Sequence, residues 1–250
     1  MSWAFPGHSG HEAIMKFASL PASTAARIIS AFGFGFFLSM FTRAVANIIK
    51  QPVQADLGLS EEMLSLALGT SFFVAFGLMQ LPLGVLLDRY DPRRINAFLF
   101  TIAGTGAAIF AGAEDAATLA IGRAFMGVGF AGGMMASLKT YSLWFPVDRL
   151  PSLNGVQFAI GVLGAILATK PTAWLLHIYD WREITLIFAG CTFAAAAILA
   201  FLPPKHVTNG DGKTLAHQLR ELGYIYGSAY FWRITPFAFI SLGISQGVGT

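Results

Sequence analysis

The chain has 250 residues, of which 55% are hydrophobic and 12% are charged. This composition excludes an ordinary soluble domain and is typical of a protein with several helices in lipid. The net charge is only +3, and basic residues beside aromatic ones fit membrane interfaces better than nucleic-acid contacts. The single cysteine, Cys191, excludes a disulfide or a cysteine metal site within one chain.

Six apolar runs are each long enough to cross a bilayer, which takes about 20 helical residues. They cover residues 27–49, 63–87, 93–113, 116–145, 152–176 and 182–202. A seventh run begins near Ile234 and is still apolar at Thr250. The sequence therefore predicts an all-α membrane protein with six complete transmembrane helices and a truncated seventh.

Charged residues between the runs predict the orientation in the membrane. If the N-terminus is cytoplasmic, the inner segments contain most of the lysines and arginines, whereas the outer loops contain Lys50 and Arg182 among mostly acidic residues. Because positive charge collects on the cytoplasmic side, this distribution predicts a cytoplasmic N-terminus in a bacterial inner or plasma membrane. The predicted parts are a cytoplasmic N-terminal segment (1–26), a six-helix bundle (27–202), a cytoplasmic linker (203–233) and the start of a second bundle (234–250).

An internal repeat is visible in the bundle. Residues 171–184 align without gaps on residues 82–95, and Pro, two Leu, Tyr, Asp, one Arg and Ile coincide. Three spans separate the two copies, so they lie on opposite sides of the membrane. This arrangement predicts an inverted repeat of three plus three helices.

The polar loop between the second and third runs contains the most specific pattern in the chain. Gly84 permits close helix packing, Asp91 can cap the third helix, and Pro92 suits its first position. The arginines of this loop, Arg89, Arg93 and Arg94, are expected to lie in cytoplasmic water. The G-x-x-x-D-R-x-x-x-R-R spacing is formed by Gly84, Asp88, Arg89, Arg93 and Arg94.

This loop resembles the signature of the major facilitator superfamily, which joins the second and third membrane helices on the cytoplasmic side. The fourth run adds a match to the second motif of that family, R-x-x-x-G-x-G, at Arg123, Gly127 and Gly129. The resemblance implies the N-terminal half, with the start of the seventh helix, of a twelve-helix secondary transporter. It also implies alternating access around a substrate midway between two halves, with the loop motif controlling the conformation.

Basic residues within or near the runs have no acidic counterpart, since no Asp or Glu lies in the middle of a complete run. A charge in the bilayer costs about 2.5 to 3.5 kcal/mol, so each cation needs a partner, a water-filled cavity or a route to the surface. An anionic substrate would supply that partner. The cations are Arg43, Arg123, Lys139 and Lys170.

Arg43 belongs to a stripe on the first helix that is aromatic at its inner end and polar at its outer end. Its side chain either faces a central cavity or extends to the outer membrane surface. The stripe consists of Phe32, Phe36, Ser39, Arg43 and Asn47.

The other cations also allow two interpretations each. The resemblance associates Arg123 with coupling or with holding its helix against neighbours, where nearby glycines permit close packing. Lys139 is expected to extend to the inner surface. Lys170 is either satisfied locally, by a carbonyl that Pro171 leaves free, or converges with the two arginines into a cationic well.

Within the superfamily, the chain is similar to the organic-anion and organophosphate group, whose first helix also has an arginine at the place of Arg43. The second helix has Gln80 and no cation, which disfavours phosphate esters. The implied function is transport of a small organic anion such as a carboxylate, with a coupling ion and the missing C-terminal half as partners. The candidate substrate-binding residues are Arg43, Asn47, Gln80, Arg123, Tyr141 and Lys170.

The same residues also bear on other functions. A non-transporting membrane sensor on this scaffold is the alternative, whereas an enzyme has no reactive constellation within the spans. No cofactor is predicted, because the glycines at 127–133 have no preceding strand to form a nucleotide cradle. His8 and His11 have no further ligand nearby, so no metal site is predicted.

Overall fold

The computed structural model describes residues 20–205, and this part of the chain is helical. Six of its helices are long and apolar enough to cross a membrane, as predicted, with ends that differ from the predicted runs by a few residues. The predicted seventh helix and the linker beyond residue 205 lie outside the described residues. The helices are α1 (Ala22–Ile48), α2 (61–89), α3 (Pro92–Ala111), α4 (Ala116–Trp144), α5 (Leu150–Leu175) and α6 (Trp181–Phe201).

Polar residues at the start of three helices explain where those helices begin. The Asp91 carboxylate accepts a hydrogen bond from the Arg93 amide at 3.0 Å, and Pro92 occupies the first position of α3, as predicted. Asp115 caps α4 in the same way, at 2.7 Å from the Thr118 amide. At α6, Asp180 forms a capping box with Glu183.

A short helix, Lys50–Leu57, follows α1 almost without interruption and ends at Gly58. Gly58 has a φ of 60°, the left-handed conformation that a glycine adopts at helix ends without steric cost. The chain then turns into α2, whose first amides are capped by Ser60. Consecutive spans run in opposite directions, so the bundle has a motif end, at loop 84–94, and an opposite end, at the short helix.

Helix α3 packs most extensively against α6 and α4, while α1 packs mainly against α5. Glycines allow the closest approaches, because a side chain at these positions would meet the backbone or a ring of the next helix. Gly129 of α4 lies directly against Ala103 of α3, and Gly161 of α5 receives the Phe36 ring of α1. Helices α2 and α5 keep the most exposed surface among the described spans.

Two spans are irregular in their middle. Helix α2 contains a π-helical turn over Leu66–Thr70, in which main-chain hydrogen bonds reach one residue further than in an α-helix. Helix α4 is interrupted at Ala131, between the segments Ala116–Phe130 and Gly132–Trp144. Both irregularities receive polar side chains from the other helix, as described below.

The internal repeat has a structural counterpart at two arginines. Arg93, at the start of α3, donates through Nη1 to the Pro203 carbonyl just after α6, at 3.0 Å. Arg182, at the start of α6, donates through Nη2 to the Ala113 carbonyl just after α3, also at 3.0 Å. The gapless alignment pairs these two arginines, and each joins the same two helices at opposite ends of the bundle.

The prediction that all three loop arginines lie in water was wrong for Arg93. Its side chain is buried, with 8% exposure for the residue, and lies 3.5 Å from Asp91. The guanidinium needs this position to reach the Pro203 carbonyl. Arg89 and Arg94 are exposed.

Candidate functional site

Two of the predicted basic residues meet at one aromatic ring. The Arg43 Cζ atom lies 5.2 Å from the centre of the Phe72 ring, and the Arg123 Cζ atom lies 4.9 Å from it. Because both are within cation–π range of this ring, their Cζ atoms are no more than about 10 Å apart. Helices α1, α2 and α4 therefore bring together two guanidinium groups that are far apart in the sequence.

Arg123 is held from both sides. Its Nε atom donates to the Leu68 carbonyl, in the π-helical turn of α2, at 3.0 Å. One turn further along α4, Gly127 lies directly against the Phe72 carbonyl. The residue is only 6% exposed, and its terminal nitrogens make no hydrogen bond or ion pair in the described part of the chain. The second motif thus packs α4 onto α2 and leaves donors of Arg123 available.

Arg43 lies against aromatic rings of α2. Its Cζ atom is 4.5 Å from the centre of the Phe76 ring, closer than to Phe72. The Nε atom is buried and has no hydrogen-bond partner among the residues of the structure. A guanidinium presents donors in a planar fork that matches carboxylate and sulfonate oxygens. The guanidinium groups of Arg43 and Arg123 can therefore donate hydrogen bonds to an anion.

The stripe on α1 does not face an open cavity along its whole length. Phe32, Phe36 and Ser39 are buried. Phe36 fills the space at Gly161 of α5, and Ser39 lies beside Gly133 of α4. Only the last two residues of the stripe, Arg43 and Asn47, keep accessible surface.

Gln80 contacts the interruption of α4. Its Nε2 atom donates to the Ala131 carbonyl at 3.5 Å, while its Oε1 atom is buried without a partner. Helices α2 and α4 therefore each place a long polar side chain at the irregular turn of the other. Arg123 of α4 contacts Leu68, and Gln80 of α2 contacts Ala131. Gln80 has a structural contact, and its role in binding substrate stays a prediction.

Tyr141 takes part in a buried polar network that the sequence analysis missed. Its hydroxyl donates to Gln157 Oε1 at 2.7 Å, and Gln157 Nε2 donates to the Phe32 carbonyl at 3.2 Å and to Ser137 Oγ at 2.9 Å. The network joins α1, α4 and α5. The amide of Gln157 within an apolar span was the available signal, because such a group needs a partner from another helix.

The loop motif pairs with a lysine of α4. Lys139 extends to the motif end of the bundle, where its Nζ atom lies 2.6 Å from Asp88, a partner that was not predicted. Among the described residues, no atom of another helix lies within 4 Å of the position that a Cβ of Gly84 would occupy. The close packing predicted for Gly84 is thus not found in this part of the chain.

Lys170 and Asn47 are both exposed and make no side-chain hydrogen bond or ion pair among residues 20–205. The structure gives no contact of Lys170 with either arginine, so the predicted cationic well is reduced to Arg43 and Arg123. Within the same range, no group of three or more His, Cys, Asp or Glu residues is placed to hold a metal ion.

Comparisons with known proteins agree with this architecture. A probable sulfoacetate transporter of Cupriavidus necator, SauU, is 21% identical over 198 residues, which cover 78% of this chain and 45% of the relative. A putative tartrate transporter of Agrobacterium vitis is 22% identical, over 66% of this chain and 38% of the relative.

Among solved structures, a bacterial homologue of the human lysosomal transporter Spinster has the same fold. Its TM-score is 0.66 at 18% identity, and the match covers 82% of this chain and 50% of that protein. The chain thus spans half or less of the length of each of these proteins. The family model of the Major Facilitator Superfamily matches residues 32–250, and this chain therefore belongs to that superfamily.

Proposed function

We propose that the protein is a secondary active transporter that carries a small organic anion across the membrane by alternating access. One observation carries the proposal: Arg43 and Arg123 meet at the Phe72 ring, and neither has an acidic partner in the described part of the chain. The substrate would bind between this bundle and a second one, as expected for a transporter of this fold.

The charge distribution supports an anionic substrate. Helices α1, α3, α4 and α5 contain no Asp or Glu, and the acidic residues of α2 and α6 lie near their ends. A charge within the bilayer costs about 2.5 to 3.5 kcal/mol on insertion scales, so two uncompensated guanidinium groups favour an anion beside them. A bound carboxylate or sulfonate would supply this counter-charge and accept hydrogen bonds from both groups.

The names of the two relatives support a substrate with two anionic groups. Sulfoacetate has a sulfonate and a carboxylate, and tartrate has two carboxylates. The short separation of Arg43 and Arg123 suits such a molecule, because each guanidinium can bind one end of it. Asn47 lies one turn beyond Arg43 on α1 and is the hydrogen-bonding candidate with the freest side chain.

The proposal also states which end of the bundle faces the cytoplasm and what drives transport. Positive-inside bias supports a cytoplasmic N-terminus in a bacterial inner membrane, which places the motif end in the cytoplasm. Symport with a cation would offset the charge of the substrate. The described spans contain no protonatable carboxylate in their middle, so the coupling ion would bind elsewhere in the transporter.

Uptake by the purified protein in proteoliposomes tests this function. Labelled sulfoacetate and tartrate serve as probes, with glycerol as the neutral control. We expect uptake of at least one anion, its loss in Arg43→Gln, and partial retention in Arg43→Lys, which keeps the charge. Arg149→Gln is the matched control, because Arg149 is exposed and makes no side-chain contact among the described residues.

Two results would contradict the proposal. Uptake by Arg43→Gln equal to that of the parent would show that this arginine does not bind the substrate. Protection of the protein by sulfoacetate or tartrate against proteolysis, without uptake or counterflow, would instead support a non-transporting sensor on the same scaffold.

A further inference from the structure

Arg182 is the centre of a cluster at the opposite end of the bundle. It forms an ion pair with Asp56 of the short helix, and its Nη2 atom donates to the Ala113 carbonyl at 3.0 Å. Its Nη1 atom lies 3.7 Å from Asp180, and its Cζ atom lies 4.3 Å from the Trp181 ring centre. These contacts join three segments that are distant in the sequence.

Two of those segments lead directly to the helices that contain the arginine pair. Asp56 lies on the short helix that continues α1, the helix of Arg43. Ala113 lies two residues before Asp115, which caps the first turn of α4, the helix of Arg123. One guanidinium is therefore bonded both to the segment that follows α1 and to the segment that precedes α4, the helices of Arg43 and Arg123.

The contact with Asp56 is the long-range polar contact of the short helix in the described structure. Two other polar side chains of that helix bond within the same loop, Lys50 to Glu61 at 3.2 Å and Gln54 to the Leu59 carbonyl at 3.3 Å, and Gln51 is exposed. Loss of the Asp56 pair would leave apolar packing to hold the outer end of α1.

Arg93 shows that the inverted repeat alone does not require this contact. It occupies the equivalent position and bonds the Pro203 carbonyl just after α6, but within residues 20–205 it forms no hydrogen bond or ion pair with the segment after α4, which is the repeat counterpart of the short helix. The ion pair to Asp56 is thus an addition to the shared α3–α6 contact, and it occurs only at the end nearer to Arg43.

We propose that Arg182 is a positioning residue for the anion site, which fixes the outer end of α1 through Asp56 and the start of α4 through Ala113. It thereby sets the position of Arg43 relative to Arg123. The statement about the anion site rests on the proposed function, whereas the statement about α1 concerns the structure alone. Release of Asp56 allows the outer end of α1 to move away from α6.

Thiol labelling in the intact protein tests this proposal without any substrate. A cysteine at Asn47, one turn beyond Arg43, is introduced after Cys191→Ser removes the only native thiol. We measure the rate of its modification by a membrane-impermeant maleimide. We expect Asp56→Asn and Arg182→Gln to change this rate by about threefold, the population shift that an exposed ion pair supports.

Matched variants separate positioning from a general loss of structure. Glu114→Gln removes an exposed carboxylate from the same end, beside Ala113, and should leave the rate unchanged because the Glu114 side chain makes no hydrogen bond or ion pair in the described structure. Arg182→Lys retains the charge toward Asp56 and should restore most of the parent rate. Asp56 is exposed, so Asp56→Asn is expected to fold even if Arg182→Gln does not.

Equal labelling rates in the parent, Asp56→Asn and Glu114→Gln would overturn the proposal, whatever the uptake assay shows. Altered labelling combined with an altered KM for sulfoacetate or tartrate supports both statements. Uptake is measured in the protein that retains Asn47 and Cys191, with and without Asp56→Asn. Altered labelling with no uptake of either probe by that native protein supports the positioning of α1 and contradicts the proposed function. The two failures are therefore distinguishable.

Discussion

Tyr141 and Gln157 show how polar side chains are kept inside this apolar bundle. Gln157 is fully buried, yet its oxygen and its nitrogen are both bonded, to Tyr141, Ser137 and the Phe32 carbonyl. Buried polar groups without partners are costly, whereas a fully bonded group fixes the relative position of its helices. The sequence identified Tyr141 as a polar candidate, but it could not show that another helix already uses its hydroxyl.

Tyr141→Phe is expected to lower thermal stability, because it leaves Gln157 Oε1 buried without its donor. Hydrogen bonds between membrane helices contribute about 0.6 kcal/mol on average and up to about 1.7 kcal/mol, so we expect a loss of about 1 kcal/mol. Unfolding of the detergent-purified protein measures it. Ser142→Ala is the control, since it removes an exposed neighbouring hydroxyl bonded only to Lys139 of its own helix. Equal stability of the two variants would contradict the role assigned to this network.

The Asp56 ion pair has a defined pH range. The hydrogen bond from Arg182 lowers the pKa of Asp56 below its ordinary value of 3.8. The pair therefore stabilises the folded protein above that ordinary value, and its contribution is lost as the pH falls through the lowered pKa. We expect the stability difference between the parent and Asp56→Asn to be constant from about pH 8 to about pH 5. Thermal unfolding across that range checks this, and a difference that shrinks above pH 5 would refute it.

At the scale of elements, α2 and α4 form a joint in which each helix fills the irregular turn of the other. The apolar runs predicted both helices, and Asp91 was predicted to cap α3, whereas the caps at Asp115 and Asp180 were found in the structure. The π-helical turn was not predictable, because no residue type in Leu66–Thr70 is specific for it. It is favoured by a tertiary contact, the hydrogen bond from Arg123 to Leu68.

Gly127→Ala tests the close approach of these two helices. A Cβ at this position would collide with the Phe72 carbonyl, which is backbone and cannot rotate away. Overpacking of this kind costs about 1 to 3 kcal/mol, so we expect a lower unfolding temperature. Gly190→Ala on α6 is the matched control, because no atom of another helix within residues 20–205 lies within 4 Å of its Cβ position. Alanine there should gain up to about 1 kcal/mol of helix propensity, and the same loss in both variants would rule out the steric explanation.

At the scale of the whole molecule, the sequence was most informative about the inverted repeat. The alignment pairs Arg93 with Arg182, and the structure shows that each of them joins α3 to α6, a contact that the sequence did not predict. The meeting of Arg43 and Arg123 at Phe72 was only conditional in the sequence, because spacing along one helix does not determine the rotation of another. Lys170 fits the same spacing rules, and it shows no contact with either arginine.

Arg93→Gln and Arg94→Gln compare two adjacent arginines of the loop motif. Arg93 is buried and bonds the Pro203 carbonyl, whereas Arg94 is exposed and makes no side-chain contact in residues 20–205. Hydrogen bonds from charged groups contribute about 1.5 to 3 kcal/mol, so we expect Arg93→Gln alone to lose about 2 kcal/mol. Faster trypsin cleavage in the loop at 84–94 is the second readout. Equal effects of the two substitutions would show that the bond to Pro203 does not hold the bundle.

The π-helical turn of α2 is equivalent to one extra residue inserted into an otherwise regular helix. Each residue turns an α-helix by about 100°, so the two parts of α2 are offset by that angle relative to an uninterrupted helix. If the same sequence formed a regular helix throughout, Gln80 would point away from Ala131, and Asp88 away from Lys139. Deletion of Gly69 would remove the extra residue and leave everything after it in the present orientation. The π-helical turn thus keeps the anchor of Arg123 and the loop motif in phase.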